Sequence, residues 1–400
     1  DIRDISNRLI ANLTDTVIDR NSLDDKVILC TDDLVPSETV FMDKDKVLAF
    51  VTAYGSLNSH TAILARNRNI PAIVGVGENF LNEVKDGSEV IIDGFTGEIF
   101  VDPDEKIKEK LFAKQKKEEE KKDILQTLKG KENVTIDGKK IDIFANIGSV
   151  DDVDLVLLND AGGIGLFRSE FLYLENKDYP TEEQQFHAYK KVLENMNGKQ
   201  VIIRTLDIGA DKQADYFHIK KEENPALGYR AIRICLTCPQ IFKTQLRALF
   251  RASIYGSLGI MFPMITSVWE VEKILEICNE VKAELKNQKI TYSEKIQIGI
   301  MIETPAAAII SDKLASMVDF FSVGTNDLIQ YTLACDRQNA DIEQFCDIHH
   351  EAVLKLIEMS AENAHKNGIW IGICGELAAD TTLTETFLRM GIDELSVSPS

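Results

Sequence analysis

Apolar residues recur along the chain with two different periods, and the changes of period divide it into segments. Over residues 1–20, Ile2, Ile5, Leu9, Ile10 and Leu13 fall at helical spacing, which predicts an amphipathic helix. From 25 to 102 the pattern shortens to apolar runs at Lys26–Cys30, Lys46–Val51, Ala72–Val76, Ser88–Ile92 and Glu98–Val101. Turn pairs such as Asp86-Gly87 and Asp93-Gly94 separate them, as between strands. One helix-period run, Ser59–Asn67, interrupts the strands, so this segment predicts a small α/β domain. Residues 103–130 are crowded with Lys and Glu and carry only a thin apolar stripe of Ile107, Leu111, Ile124, Leu125 and Leu128. That pattern predicts a solvated connecting helix.

From 131 to 400 the pattern becomes regular. Strand-like runs recur at Ile141–Ala145, Ile164–Phe167, Val201–Ile203, Gly259–Phe262, Ile298–Ile302, Phe320–Val323, Ile369–Ile373 and Glu394–Val397. Helix-period segments separate most of them, among them Thr181–Met196, Val268–Leu285, Pro305–Ala315 and Asp347–Asn367. Strands alternating with helices at this spacing predict a (β/α)8 barrel. The chain stops at Ser400, directly after the eighth strand, so the barrel is expected to lack its closing helix. The expected class is therefore α/β, with a small α/β domain (25–102), a charged linker helix (103–130) and a barrel (131–400).

Composition narrows what these domains do. A net charge of −20 argues against a general nucleic-acid binder, so an anionic ligand has to be drawn by local clusters of cations. No apolar run is long enough for a membrane-spanning helix. Seven cysteines, an odd number scattered over 400 residues, fit reduced thiols in the cytoplasm rather than a disulfide framework. Cys235-Leu-Thr-Cys238 is a CxxC run with no second pair, which reads as incidental or as a metal or redox pair.

Candidate chemistry collects in two places. His60 follows Asn58-Ser59 at the start of the helical run, after a Gly55-Ser56 turn. Backbone N–H groups and the positive end of the helix dipole converge there, a setting that suits a group holding a phosphoryl oxyanion. The second place is the set of strand ends, where barrel active sites are built. Arg168 follows the second strand; Arg204, Asp207 and Lys212 follow the third, with Arg230 beyond. The fifth ends in Glu303-Thr-Pro, the sixth in Gly324-Thr-Asn-Asp327 and the seventh in Cys374-Gly-Glu376. Arginine forks suit carboxylate and phosphate, while Glu303 and Asp327 are hard oxygen ligands of the kind Mg2+ prefers. Thr304-Pro305 reads as an N-cap and first helical position. Cys374 reads as a packed thiol or as one tuned for proton transfer, and Cys30, Cys278 and Cys335 as packing.

An ordered set of motifs carries a resemblance. Asn58-Ser-His-Thr-Ala-Ile, Ile70-Pro-Ala-Ile-Val-Gly, Gly165-Leu-Phe-Arg-Ser-Glu, Ile203-Arg-Thr-Leu-Asp-Ile-Gly and Gly228-Tyr-Arg-Ala-Ile-Arg are followed by four more: Phe262-Pro-Met-Ile, Met301-Ile-Glu-Thr-Pro-Ala-Ala, Gly324-Thr-Asn-Asp-Leu and Ile373-Cys-Gly-Glu-Leu. Together they resemble Enzyme I of the bacterial sugar phosphotransferase system along essentially the whole chain. The resemblance implies that phosphoenolpyruvate phosphorylates His60 with release of pyruvate. Arg168, Arg204, Arg230, Asn326, Asp327 and Arg337 would bind the substrate, Glu303 and Asp327 would hold Mg2+, and Cys374 would protonate the enolate. It also implies a swivelling phosphohistidine domain, a homodimer through the barrel, and onward transfer to the phosphocarrier HPr. Residues 1–24 would then be the remnant of an HPr-binding domain that lies ahead of them.

Two departures stand out: Tyr54-Gly-Ser where the family commonly has Gly-Gly, and Ala210 in Asp207-Ile-Gly-Ala-Asp-Lys where a Gly is usual. The alternatives are a piece of a pyruvate phosphate dikinase or phosphoenolpyruvate synthase, and a phosphoenolpyruvate-binding module without turnover.

Overall fold

The structure is a computed structural model that describes residues 26–32, 46–55, 70–209, 215–337 and 339–399. The predicted helices at 1–20 and Ser59–Asn67, and with them His60, lie outside the described residues. The chain forms two compact units that meet in sequence between Leu128 and Lys129.

The first unit holds β1 (Val27–Thr31), β2 (Val47–Thr52) and β3 (Ala72–Val74), then α1 (Glu78–Glu83), the pair β4 (Val90–Asp93) and β5 (Glu98–Val101), and α2 (Glu105–Gln126). β1, β2 and β3 pair in parallel in that order, and β4 with β5 antiparallel. Val47 and Phe50 on β2 form the core with Leu29, Ile70 and Ala72, as expected for a central strand covered on both faces. Asp104 caps α2, its Oδ1 accepting from the Ile107 amide at 2.8 Å. Lys114 pairs with Asp93, but most of α2 is exposed, as its sequence predicts.

The second unit runs β6 (Asp142–Ile147), α3 (Val153–Leu158), β7 (Ile164–Arg168), α4 (Phe171–Leu174), α5 (Glu182–Asn195), β8 (Gln200–Arg204), α6 (Ile232–Thr237), α7 (Pro239–Ala252), β9 (Ser257–Phe262) and α8 (Val268–Asn287). It continues through β10 (Gln297–Ile302), α9 (Pro305–Ile309), α10 (Ser311–Leu314), β11 (Phe320–Val323), α11 (Thr325–Leu333), α12 (Glu351–Lys366), β12 (Trp370–Ile373), α13 (Thr384–Met390) and β13 (Glu394–Val397). β6 to β13 close into a parallel barrel, β13 pairing back onto β6 from Glu394↔Asp142 to Val397↔Ala145. All eight strands lie where their apolar runs place them.

Two local differences have physical causes. The segment predicted as one helix over Pro305–Ala315 is two short ones, broken where Ile310 leaves helical geometry and the Ser311 hydroxyl turns back onto the Ala308 carbonyl at 2.7 Å. α6 ends at Thr237 and α7 begins at Pro239, so the CxxC run marks a helix junction with Cys235 buried.

Strand alternation sorts the barrel's side chains. Outward residues such as Ile164, Phe167, Val201 and Ile203 join the core beneath the helices, while Leu166, Ile202, Met261, Met301, Phe320 and Cys374 cluster inside. β7 breaks the alternation. Ile164 pairs with Val201 but Phe167 with Ile203, so three steps on β7 face two on β8. That extra residue is a β-bulge, and it reverses the parity of everything after it. Gly165 sits there because an added Cβ would lie 1.7 Å from Ser396 Oγ.

Candidate active site

The bulge has a direct consequence at the rim. Without it, Arg168 would point outward. With it, Arg168 is paired in register with Arg204, both at the carboxyl ends of their strands. The Arg204 guanidinium is buried and pairs through Nη2 with Glu170 Oε1 at 2.6 Å and through Nη1 with Asp207 Oδ2 at 2.9 Å. The other oxygen of Asp207 accepts from Arg230 Nη2, also at 2.9 Å. Arg230 Nη1 reaches Tyr331 Oη at 3.1 Å and Asp327 Oδ1 at 3.5 Å. Asp207 thus ties two buried cations together. Burial opposes the charge on both, but the surrounding carboxylates outweigh it and hold both pKa values above the ordinary arginine value. Arg168 differs. Its side chain reaches solvent, but the protein crowded around the guanidinium desolvates it and lowers its pKa, helped by the like charge of Arg204 and opposed by Glu170, Cys374 and Glu376. No carboxylate among the described residues lies within ion-pair distance of it, so its fork is free for an incoming anion.

Carboxylates stand on the next strands. Glu303 is buried just beyond β10 and accepts from the Met264 amide at 2.6 Å. Its closeness to the β11 turn requires Gly324, where a Cβ would come 2.7 Å from Glu303 Oε2. Asp327 lies in the first turn of α11, where the helix dipole favours an anion. Burial pushes the Glu303 carboxyl up to about 8, reinforced by Asp327 and Asp207 and opposed by Arg204 and Arg230. Two neighbouring carboxylates are the donor type a hard divalent cation takes, and such an ion would favour the charged form of Glu303 that burial disfavours. Among the described residues no group of three or more His, Cys, Asp or Glu forms a ready metal cage. Asn326 Oδ1 accepts from the Glu376 amide at 3.1 Å, joining the β11 and β12 turns. Thr304 caps α9 with Oγ1 accepting from the Ala307 amide at 3.1 Å, Pro305 at the first helical position.

Cys374 is buried at the end of β12, its thiol donating to the Val323 carbonyl at 3.6 Å. Burial pushes the thiol up to about 12, helped by Glu394 and Glu303 and opposed by the Ser322 hydroxyl and Arg204. It therefore keeps its proton at neutral pH, the state required of an acid rather than of a nucleophile.

The remaining residues are less tightly gathered. Arg337 is exposed in the turn after α11 and lines a cavity of about 400 Å3 together with Arg230, Asp327, Gln330 and Tyr331. Arg168, Arg204, Glu303 and Cys374 do not line that cavity, so it is one flank of the rim rather than the whole site. Lys212 and Ala210 lie outside the described residues, as does His60. Glu170, which anchors Arg204, and Tyr331, which meets Arg230, were not singled out by sequence. Glu170 sits two residues after Arg168 and Tyr331 one helical turn after Asp327, spacings that could have flagged them.

The chain's two units, a small α/β unit and a closed parallel barrel with cations and carboxylates on its carboxyl rim, are each matched by a family model of the PEP-utilising enzymes. The family model described as PEP-utilising enzyme, PEP-binding domain matches residues 122–400, and that described as PEP-utilising enzyme, mobile domain matches residues 23–97. The chain belongs to the phosphoenolpyruvate-protein phosphotransferase family. It is 46% identical to the protein of that name from Staphylococcus epidermidis and 45% identical to that from Priestia megaterium, covering 100% of this chain and 70% of each relative. A solution structure titled as Enzyme I (nEIt) is 43% identical over 29% of this chain and 47% of that one, with a TM-score of 0.27. No helix among the described residues is long and apolar enough to cross a membrane.

Proposed function

We propose that this chain transfers the phosphoryl group of phosphoenolpyruvate to His60, releasing pyruvate, and that in the full-length protein the group then passes to the phosphocarrier HPr. The observation that carries this reading is the register pairing of Arg168, which no described carboxylate pairs, with the anchored Arg204–Asp207–Arg230 chain, next to the Glu303–Asp327 carboxylates. Arg168 and Arg204 would hold the substrate's phosphate and carboxylate, with Asn326 and Arg337 closing the ligand from the β11 side and Arg230 fixing the charge balance. Mg2+, held by Glu303 and Asp327, would neutralise charge on the phosphate oxygens when bound. A ring nitrogen of His60 attacks phosphorus as the bond to the enol oxygen breaks, and Cys374 gives its proton to the methylene carbon of the enolate. The reading takes the chain to be a cytoplasmic homodimer joined through the barrel, with α2 in the hinge that lets the small unit swing.

The test uses phosphoenolpyruvate radiolabelled in its phosphoryl group. Label appears on the wild-type chain in the presence of Mg2+ and is lost in His60→Ala; uptake by His60→Ala at the wild-type rate refutes the assignment. Formation of ATP from AMP by the phosphorylated protein would move the reading to a dikinase. A melting shift with ligand but no label would reduce it to a binding module.

A further inference from the structure

Beneath the Cys374 thiol, inside the barrel, lies a row of polar groups that the reaction as described leaves unused. Ser322, Gly372 and Glu394 are register partners on β11, β12 and β13. The Glu394 carboxyl lies over the middle strand, its Oε2 only 2.0 Å from where a Cβ on Gly372 would stand. Gly165 on β7 gives way on the other side, its Cβ position 2.7 Å from Glu394 Oε1. Two glycines therefore open a niche for one carboxyl. Cys374 occupies the next inward position on β12, two residues beyond Gly372, which is about 7 Å along the strand.

The niche is buried and incompletely satisfied. Ser396 donates its hydroxyl to Glu394 Oε1, and Asn146 Nδ2 donates to the carbonyls of Cys374 at 3.0 Å and Ser396 at 3.1 Å. Glu394 Oε2 and Asn146 Oδ1 are buried without a hydrogen-bond partner, while the buried Ser322 hydroxyl lies against the Cys374 thiol. Groups of this kind are ordinarily satisfied, often by interior water. No cation among the described residues pairs with Glu394. The groups facing it are Asp142 from β6 and the Cys374 thiol, with Glu303 and Arg204 acting on that thiol from the rim. Burial, reinforced by Asp142 and opposed by the Ser396 hydroxyl, pushes the Glu394 carboxyl up to about 8, so it is an acid at neutral pH.

We propose that Glu394 is the proton reserve of Cys374, reloading the thiolate from inside the barrel by way of Ser322 and interior water. The inference rests on the reading of Cys374 as the enolate's acid. In that step the S–H bond breaks as the C–H bond of pyruvate forms, leaving the electron pair on sulfur. The Glu394 O–H bond then breaks as S–H forms again, and the carboxylate left behind recovers a proton from solvent after pyruvate departs.

Because Cys374 starts protonated, Glu394→Gln is expected to leave the first turnover untouched and to slow only the later ones. Rapid-quench measurement of pyruvate in the full-length protein supplied with HPr should show a first turnover at the wild-type rate. A steady rate lower by about a hundredfold should follow, the low end of what a lost acid–base group costs. The wild-type steady rate should fall above about pH 8, and the variant should lack that fall. A wild-type steady rate in Glu394→Gln overturns the proposal, and so does a first turnover slowed in step with the later ones, the signature of a merely structural role. Ser322→Ala, which removes only one hydroxyl, is held to the same split and decides the matter if Glu394→Gln does not fold. If Cys374→Ala keeps its first turnover, it is the reading of Cys374 that fails; if it loses it while Glu394→Gln stays fast throughout, only the reserve fails.

Discussion

An uncharged Glu394 inside the barrel makes stability depend on pH in a direction opposite to that of an ordinary paired carboxylate. Its pKa is pushed up to about 8 in the folded protein from the 4.5 of an unperturbed glutamate. Between those values the native state binds one more proton than the unfolded chain. The free energy of unfolding then falls by about 1.4 kcal/mol per pH unit as pH rises. The contribution is whole below about pH 4.5 and is lost as pH passes through about 8. From pH 5.5 to 7.5 this one group accounts for a decline of about 3 kcal/mol. Glu394→Gln keeps the shape and a hydrogen-bonding head but cannot ionise, so its stability should decline less steeply by that amount. Glu303 is raised in the same direction, but it is present in both proteins and cancels in the comparison. The chain's two tryptophans, Trp269 and Trp370, both lie in the barrel unit, and Trp370 stacks on Phe320 at 4.6 Å between ring centroids. Urea unfolding followed by tryptophan emission therefore reports the barrel. Parallel lines for wild type and variant over this range would refute a neutral Glu394, and with it the proton reserve.

Two further substitutions test the rim and the bulge. Asp207→Asn removes the anion shared by Arg204 and Arg230, leaves two buried guanidinium groups short of charge, and should lower stability by about 3 kcal/mol in the same urea experiment; an effect below about 0.5 kcal/mol would mean that the arginines repair the loss with other partners. Gly165→Ala drives a Cβ to 1.7 Å from Ser396 Oγ, so the bulge must shift. It should destabilise the barrel by about 1 to 3 kcal/mol and shrink the melting shift given by phosphoenolpyruvate, whereas an unchanged shift would separate Arg168 from ligand binding.

The two halves of the site differ in how far a reader of the sequence alone could see them. Each barrel strand is a short apolar run bounded by turn residues, and a closed barrel follows from counting them, because eight strands alternating with helices have few other ways to bury both faces. Strand ends then carry the chemistry, which is why Arg204, Glu303, Asp327 and Cys374 could be placed from their positions alone. Arg337 could not. It follows α11 in an exposed turn, and only the returning chain brings it to the cavity that also holds Arg230 and Asp327. Contacts across the barrel interior were also out of reach. Glu394 looked like the first residue of the last strand, and nothing local distinguishes it from a surface glutamate. Its burial depends on the missing side chains of Gly165 and Gly372, which stand 229 and 22 positions earlier in the chain.

The bulge in β7 shows the limit most sharply, because it acts through parity. Regular alternation from Ile164, which is outward, would turn Leu166 and Arg168 outward with it, and Phe167 would point into the barrel. The apolar run from Ile164 to Phe167 reads equally well either way, since both faces of a barrel strand are covered. A single extra residue on β7 decides it. The same glycine that permits the extra residue also makes room for Ser396 and for the Glu394 carboxyl. Aiming Arg168 at the substrate and seating a carboxylic acid under Cys374 are therefore one structural choice, made where β7 and β13 approach each other. A change at Gly165 should disturb substrate binding and proton supply together, although the residue touches neither the substrate nor the thiol.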